Sequence, residues 1–194
     1  MGILKNAEIF VTTLHKYQSF NHKGSYLKPA EYKTSNDFLR ACHDAHNDEE
    51  EPVFMFTDWE NMPNGLIDTF RLDETFFSLR DELDKMPDEK AEGFMAWIAY
   101  CNYDMRKFNI DALIEDFNEV FIGRYETEED FAYEYVKQKT DLPVWVTAYF
   151  NYTRLAETLF STDYIFYDCF VFRNWSHDRR RGRNSPPPIF EQRY

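Results

Sequence analysis

Cys42, His43, His46 and Asp48 bring metal-ligating side chains close together in the chain, and His43 and His46 would share one face of a helix. A metal site needs at least three convergent ligands held by a supporting shell. A short Cys/His cluster at a helix end does not supply that, so no metal is assigned. His15 and Tyr17 are residue types suited to proton transfer, but a histidine between a strand and a turn reads as a surface residue. Paired carboxylates are uninformative here: with 35 acidic residues, some pair will always imitate a glycosidase acid and base. The sequence contains no GxSxG, P-loop, GxGxxG or HExxH motif. Catalysis is not indicated, and no cofactor is called for.

What remains is the display of charge. Asp111, Glu115 and Glu119 recur at every fourth position, which on a helix stacks carboxylates about 6 Å apart along the axis. Glu128, Glu129 and Asp130 follow Thr127, an N-cap residue, and so fill a first helical turn where the helix dipole favours anions. Against the 35 acidic residues stand 22 basic ones, a net charge of −13. Five of the basic residues, Arg179, Arg180, Arg181, Arg183 and Arg193, lie near the C-terminus, so the rest of the chain is more acidic still. Such a body repels nucleic acid and is attracted to basic clefts. Direct nucleic-acid binding by the folded body is disfavoured, since nothing basic surrounds its aromatics to neutralise phosphates.

Helices and strands must position these carboxylates. Ile110, Leu113, Ile114, Phe117 and Phe121 follow the i, i+3, i+4, i+7 pattern of a helix with one buried face, which Gly123 is expected to end. Before it, Ala7–Leu14 and Gly24–Leu27 read as a hairpin across a turn at Ser19–Lys23, Ser35 as the cap of a helix through Cys42, and Val53–Thr57 as a third strand. Asp58–Gly65 has the Pro, Asn and Gly of a loop leaving this module. Phe76, Phe77, Arg80 and Leu83 then keep helical period. Pro87 opens a second helix through Trp97 and Cys101. After Pro143, Asn151 caps a helix through Leu159, and Tyr164–Tyr167 with Cys169–Trp175 form a final hairpin.

The expected fold class is therefore α+β, an elongated chain of three modules: a β-rich module at 1–65, a helical middle module at 66–108 and a C-terminal α+β module at 109–175. Residues 176–194 read as a flexible basic, Pro-rich tail. Nineteen Phe, thirteen Tyr and four Trp supply enough apolar area for folding despite a mean hydropathy of −0.65. Cys42, Cys101 and Cys169 form no metal knuckle and no even disulfide framework, which suits a reducing cytosol. The N-terminus lacks a signal sequence and no run is long enough to span a membrane, so a cytoplasmic protein is expected.

Several segments, in order, resemble the ArdA family of antirestriction proteins: IFVTTLHKYQSFNHKGSYL, FTDWENMPNG, FFSLRDELDKMPDEKAEGFMAWI and YFNYTRLAETLFSTDYIFYDCFVFRN. The resemblance covers about residues 7 to 175 and is carried by dispersed aromatic and acidic positions. It implies a non-enzymatic protein of a phage or other mobile element, dimerising through its C-terminal module and acting in the bacterial cytoplasm. It would inhibit type I restriction–modification enzymes by DNA mimicry. Three modules end to end would span roughly 60–70 Å, a length of duplex with about 40 phosphate charges. The chain's carboxylates cannot match that evenly, so mimicry must be concentrated on one face. From faces and charge, that face is expected to contain Asp58, Glu60, Asp81, Glu82, Asp84, Asp88, Glu89, Asp111, Glu115, Asp116, Glu119, Glu126, Glu128, Glu129 and Asp130. Tyr164, Phe166, Phe170 and Phe172 are candidates for the dimer contact, or equally for the core of the last module. The alternative to antirestriction is an acidic adaptor or scaffold that binds a basic protein unrelated to restriction.

Overall fold

A computed structural model describes residues 2–174; the tail expected at 176–194 and Trp175, the expected end of the last strand, lie outside the described residues. The fold is α+β, with small antiparallel sheets and packed helices. It comprises two compact units. The first runs up to Glu92 and adds Asn102–Leu113, while the second comprises Gly93–Cys101 and the described residues from Ile114 onward.

In the first unit, β1 (Glu8–Thr13) is the central strand. Its Ile9 and Val11 are fully buried, and Glu8 and Phe10 point the other way, the period of a strand covered on one face. A short helix, α1 (Leu14–Gln18), interrupts the expected hairpin before β2 (Ser25–Leu27) pairs with β1. The Thr13 side chain caps α1 by accepting from Lys16 N–H, so the chain turns into a helix where a direct turn was expected. Next, α2 (Ser35–Ala45) is capped by Thr34 rather than Ser35. The Thr34 hydroxyl accepts from Asp37 N–H and donates to the Asp37 carboxylate, a reciprocal cap that Ser35, one residue later, cannot make.

β3 (Phe54–Glu60) extends further than sequence suggests, because its pairing with β1 continues to Glu8 and Glu60. Asp58 and Glu60 therefore stand on a strand and not in a loop. Nor does the first unit end near residue 65. Phe56 N–H donates to Thr69 C=O at 2.7 Å, Asp73 N–H to Leu66 C=O at 2.7 Å, and the small hairpin of β4 (Ile67–Asp68) and β5 (Arg71–Leu72) lies between these bonds. α3 (Thr75–Leu83) buries Phe76, Phe77, Leu79 and Leu83, and its Arg80 donates to the carbonyls of Ala30, Tyr32 and Lys33.

α4 (Asp88–Cys101) begins where Pro87 C=O accepts from Lys90 and Ala91 N–H. α5 (Ile110–Val120) then follows the expected apolar period. It ends at Val120, ahead of Gly123, because β6 (Phe121–Arg124) is drawn into a sheet with β8 (Phe170–Arg173). α6 (Glu128–Lys139), α7 (Val144–Thr147), α8 (Tyr152–Thr162) and β7 (Tyr164–Tyr167) complete the second unit. Its sheet order is β6-β8-β7, and α6 and α8 pack Phe131, Ala132, Ala156 and Leu159 with Val171. The ring of Phe117 is 5.3 Å from Phe94, 5.8 Å from Trp97 and 4.8 Å from Phe121 by centroids, so aromatic contact binds α4, α5 and β6.

Candidate functional site

The local Cys/His cluster has a structural use. His46 ends α2 with its ring buried: Nδ1 lies 2.9 Å from Lys16 Nζ and Nε2 lies 3.1 Å from Val11 C=O. An ammonium can only donate, so Nδ1 accepts and Nε2–H donates to the carbonyl. Both ring nitrogens are thereby occupied. His43 is exposed with its ring against Phe54, 4.8 Å between centroids, and burial pushes the Cys42 thiol up to about 12. Asp48 instead binds Lys16 at 2.6 Å, and that contact holds its carboxyl below the usual range.

The acidic residues are a different matter, since all fifteen named from sequence reach the surface, and all but the half-buried Glu82 and Asp116 are exposed. In the first unit, strand alternation puts Asp58 and Glu60 on the outer face of the sheet, with Phe10 and Tyr26. Tyr26 Oη donates to Asp58 at 2.8 Å, and this bond raises the tyrosine pKa. Glu8, opposite Glu60, belongs to the same face and pairs with Lys28 at 3.1 Å. It is absent from the sequence-derived set, because only the register of β1 against β3 places it there. At the end of α3, Lys85 pairs with Glu82 and feels Asp81 and Asp111, which raises its pKa, the hydrogen bond to Glu82 contributing most. Asp81 is neutralised in part by Arg80 at 2.6 Å. Asp84, Asp88 and Glu89 are exposed beside this group in sequence.

In the second unit, Glu115 and Glu119 are exposed on α5 four residues apart, with Asp116 half-buried between them. Around the start of α6, Thr127 caps the helix by accepting from Asp130 N–H, Thr127 Oγ1 donates to Asp130 at 2.6 Å, and Glu129 accepts from Thr153 at 3.0 Å. These bonds fix carboxylates at the positive end of the helix. Glu60, Glu115, Glu126 and Glu128 form no ion pair with another of the described residues. Their charge is thus turned to solvent.

Of the four aromatic candidates for a dimer contact, Phe170 and Phe172 are 3% and 1% exposed and belong to the core, because β8 is the middle strand of its sheet. Tyr164 and Phe166 are half-buried, their rings 4.8 Å from Phe131 and 6.1 Å from Phe160. An apolar hollow in the first unit, lined by Phe38, Leu39, Val53, Phe54, Phe56, Phe70 and Leu72 with Ser35 and Arg71, contains no carboxylate. The chemistry on offer is therefore an array of anionic acceptors for ammonium and guanidinium donors. Among the described residues, no helix is long and apolar enough to cross a membrane.

A family model described as antirestriction protein (ArdA) matches residues 9–169. No curated protein matches the chain significantly.

Proposed function

The chain belongs to the ArdA family of antirestriction proteins, and from that membership we propose that it works as a DNA-like competitor for the basic DNA groove of type I restriction–modification enzymes. The family is one of inhibitors and not of enzymes, so the surface rather than a cavity is where function is sought. One observation carries the reading: the carboxylates picked out by face and charge all reach the surface, and several form no ion pair with another of the described residues. Carboxylates then stand where phosphates would, and the target's lysines and arginines exchange one polyanion for another.

Affinity of this kind is spread over many weak pairs, associates fast and falls with salt. A homodimer joined through the C-terminal part of the chain, acting in the cytoplasm of a bacterial host, belongs to the same reading. The test is a cleavage assay with a purified type I enzyme over a range of salt and competing DNA. Inhibition relieved by excess DNA and by salt is expected. Inhibition absent across several type I enzymes, or insensitive to DNA, would overturn the reading and favour an adaptor for some other basic protein.

A further inference from the structure

In the first unit, α1 ends in a motif whose last position belongs to glycine, and Phe20 occupies it. Phe20 N–H donates to Tyr17 C=O at 3.2 Å and Asn21 N–H to Lys16 C=O at 2.9 Å. These paired bonds close a helix around one residue in the left-handed region, usually glycine and sometimes asparagine. Phe20 takes that conformation at φ 55°, where a bulky side chain is strained. Its ring gains no burial to offset this: Phe20 is 86% exposed, and Tyr17 beside it 56%. A strained residue left uncovered is the mark of a side chain kept for contact.

The loop that carries the ring is tied down at both ends. Ser19 Oγ donates to His15 C=O, Lys23 N–H to Asn21 Oδ1 at 3.2 Å, and Thr12 Oγ1 to Lys23 C=O at 2.8 Å, which fastens the loop to the central strand. Gly24 permits the close approach, since an added Cβ would lie 2.6 Å from the Val11 carbonyl oxygen. Lys16, whose carbonyl takes one of the closing bonds, is held in turn by His46 and Asp48. The ring is therefore presented on a preorganised mount, so that little ordering is left to be done on binding.

Charge decides which surface the ring fits. From Ile9 to Ala30 the chain has no Asp or Glu, although it carries 35 in all, and the exposed residues that follow Phe20 include His22 and Lys23. Such a loop has nothing to offer a basic groove. Glu8, Asp58 and Glu60, on the outer face of the same sheet, do. The first unit thus combines anionic acceptors with an aromatic knob free of acid. A DNA methyltransferase offers the matching pair: cations for phosphates, and a snug pocket of aromatic and apolar side chains into which the target base is swung out of the stack.

We propose that Phe20 fills the pocket in which the modification subunit of the target enzyme receives a flipped base. The inference rests on the competitor reading and deepens it by adding an apolar anchor to a contact made of charge. Binding of the full chain to a purified type I enzyme at several salt concentrations tests it, with thermal unfolding of each variant. F20G restores the residue type the backbone favours, so its melting temperature should equal or exceed that of wild type, while its binding weakens at least ten-fold with the salt dependence unchanged. F20W, still a flat ring, should bind as wild type does. A photo-crosslinking benzoylphenylalanine at position 20 should mark the peptide that lines the base pocket. F20G that binds as tightly as wild type would overturn the anchor while leaving the competitor reading intact, and a crosslink confined to another subunit would overturn the pocket. Binding of single-stranded DNA by the free chain, abolished in F20G, would set the ring against nucleic acid and overturn it too. A wild type that does not bind the enzyme would overturn both readings. Should F20G fail to fold, F20N, also tolerated in the left-handed region, decides in its place.

Discussion

Lys16 Nζ lies 2.9 Å from Nδ1 of His46, with both side chains buried, and the same ammonium reaches Asp48 at 2.6 Å and Glu49 at 3.6 Å. One lysine in α1 thus ties down the end of α2 and the acidic run behind it. His46 in turn holds Val11 of the central strand. Replacing Lys16 by Met keeps the apolar stem but leaves His46 Nδ1 without its donor, and an unsatisfied buried polar group costs about 1–3 kcal/mol. K16M should therefore lower the denaturant midpoint by an amount in that range with the m-value unchanged; a loss under about 0.5 kcal/mol would mean that water replaces the ammonium.

Sequence and structure part company at this cluster for a physical reason. Capping chemistry is local, so Thr127 and Asn151 are legible as helix starts from the residues around them. Burial of a lysine is not local: Lys16 meets His46 only because α2 folds back over β1, and nothing within Leu14–Gln18 shows it. The same limit explains β6. Phe121 extends the apolar period of α5, and only Phe172, far along the chain, turns it into a strand residue. The exposure of the acidic residues was legible from helix period and charge. Their strand partners, such as Glu8 across from Glu60, depended on a register that sequence alone did not reveal.

Acid should remove specific contacts in a defined window. Asp104 is held down to about 2 from 3.8, first by the hydrogen bond from Arg106 and then by the backbone N–H it caps. A carboxyl whose folded value is depressed contributes stability above its unfolded value and loses it as pH falls through the folded one. For Asp104 the loss runs from about pH 4 to about pH 2. Asp73 is lowered as well: burial opposes this, but hydrogen bonds from Thr75 outweigh it. The melting temperature should fall between pH 4 and 2, and D104N should flatten that slope; an unchanged slope would assign the acid sensitivity to other carboxyls.

Gly93 sits inside α4, where an added Cβ would lie 2.5 Å from a ring carbon of Phe121. Alanine normally favours a helix by about 1 kcal/mol over glycine. Here the ring would have to move within the aromatic contacts of Phe117, Phe170 and Phe172, and overpacking of this sort costs about 1–3 kcal/mol. Thermal unfolding of G93A should show net destabilisation. A stabilised variant would mean that Phe121 has room to swing aside.

Charge on α5 separates distributed mimicry from a single hot spot. Asp111, Glu115 and Glu119 are all exposed, and neither Asp111 nor Glu115 forms an ion pair with another of the described residues. An exposed pair is worth about 0.2–1 kcal/mol, so E115Q alone should weaken inhibition of a type I enzyme by no more than about five-fold. D111N/E115Q/E119Q should weaken it on the order of ten-fold or more, since each 1.4 kcal/mol is a factor of ten. It should also reduce the steepness of the salt dependence, because fewer ion pairs then form at the contact. Titrating both variants against the same enzyme at two salt concentrations reads both effects. Abolition of inhibition by E115Q alone would contradict a contact shared among many carboxylates, and a triple variant as potent as wild type would place the contact on the carboxylates of Asp58–Glu89 and Glu126–Asp130 instead.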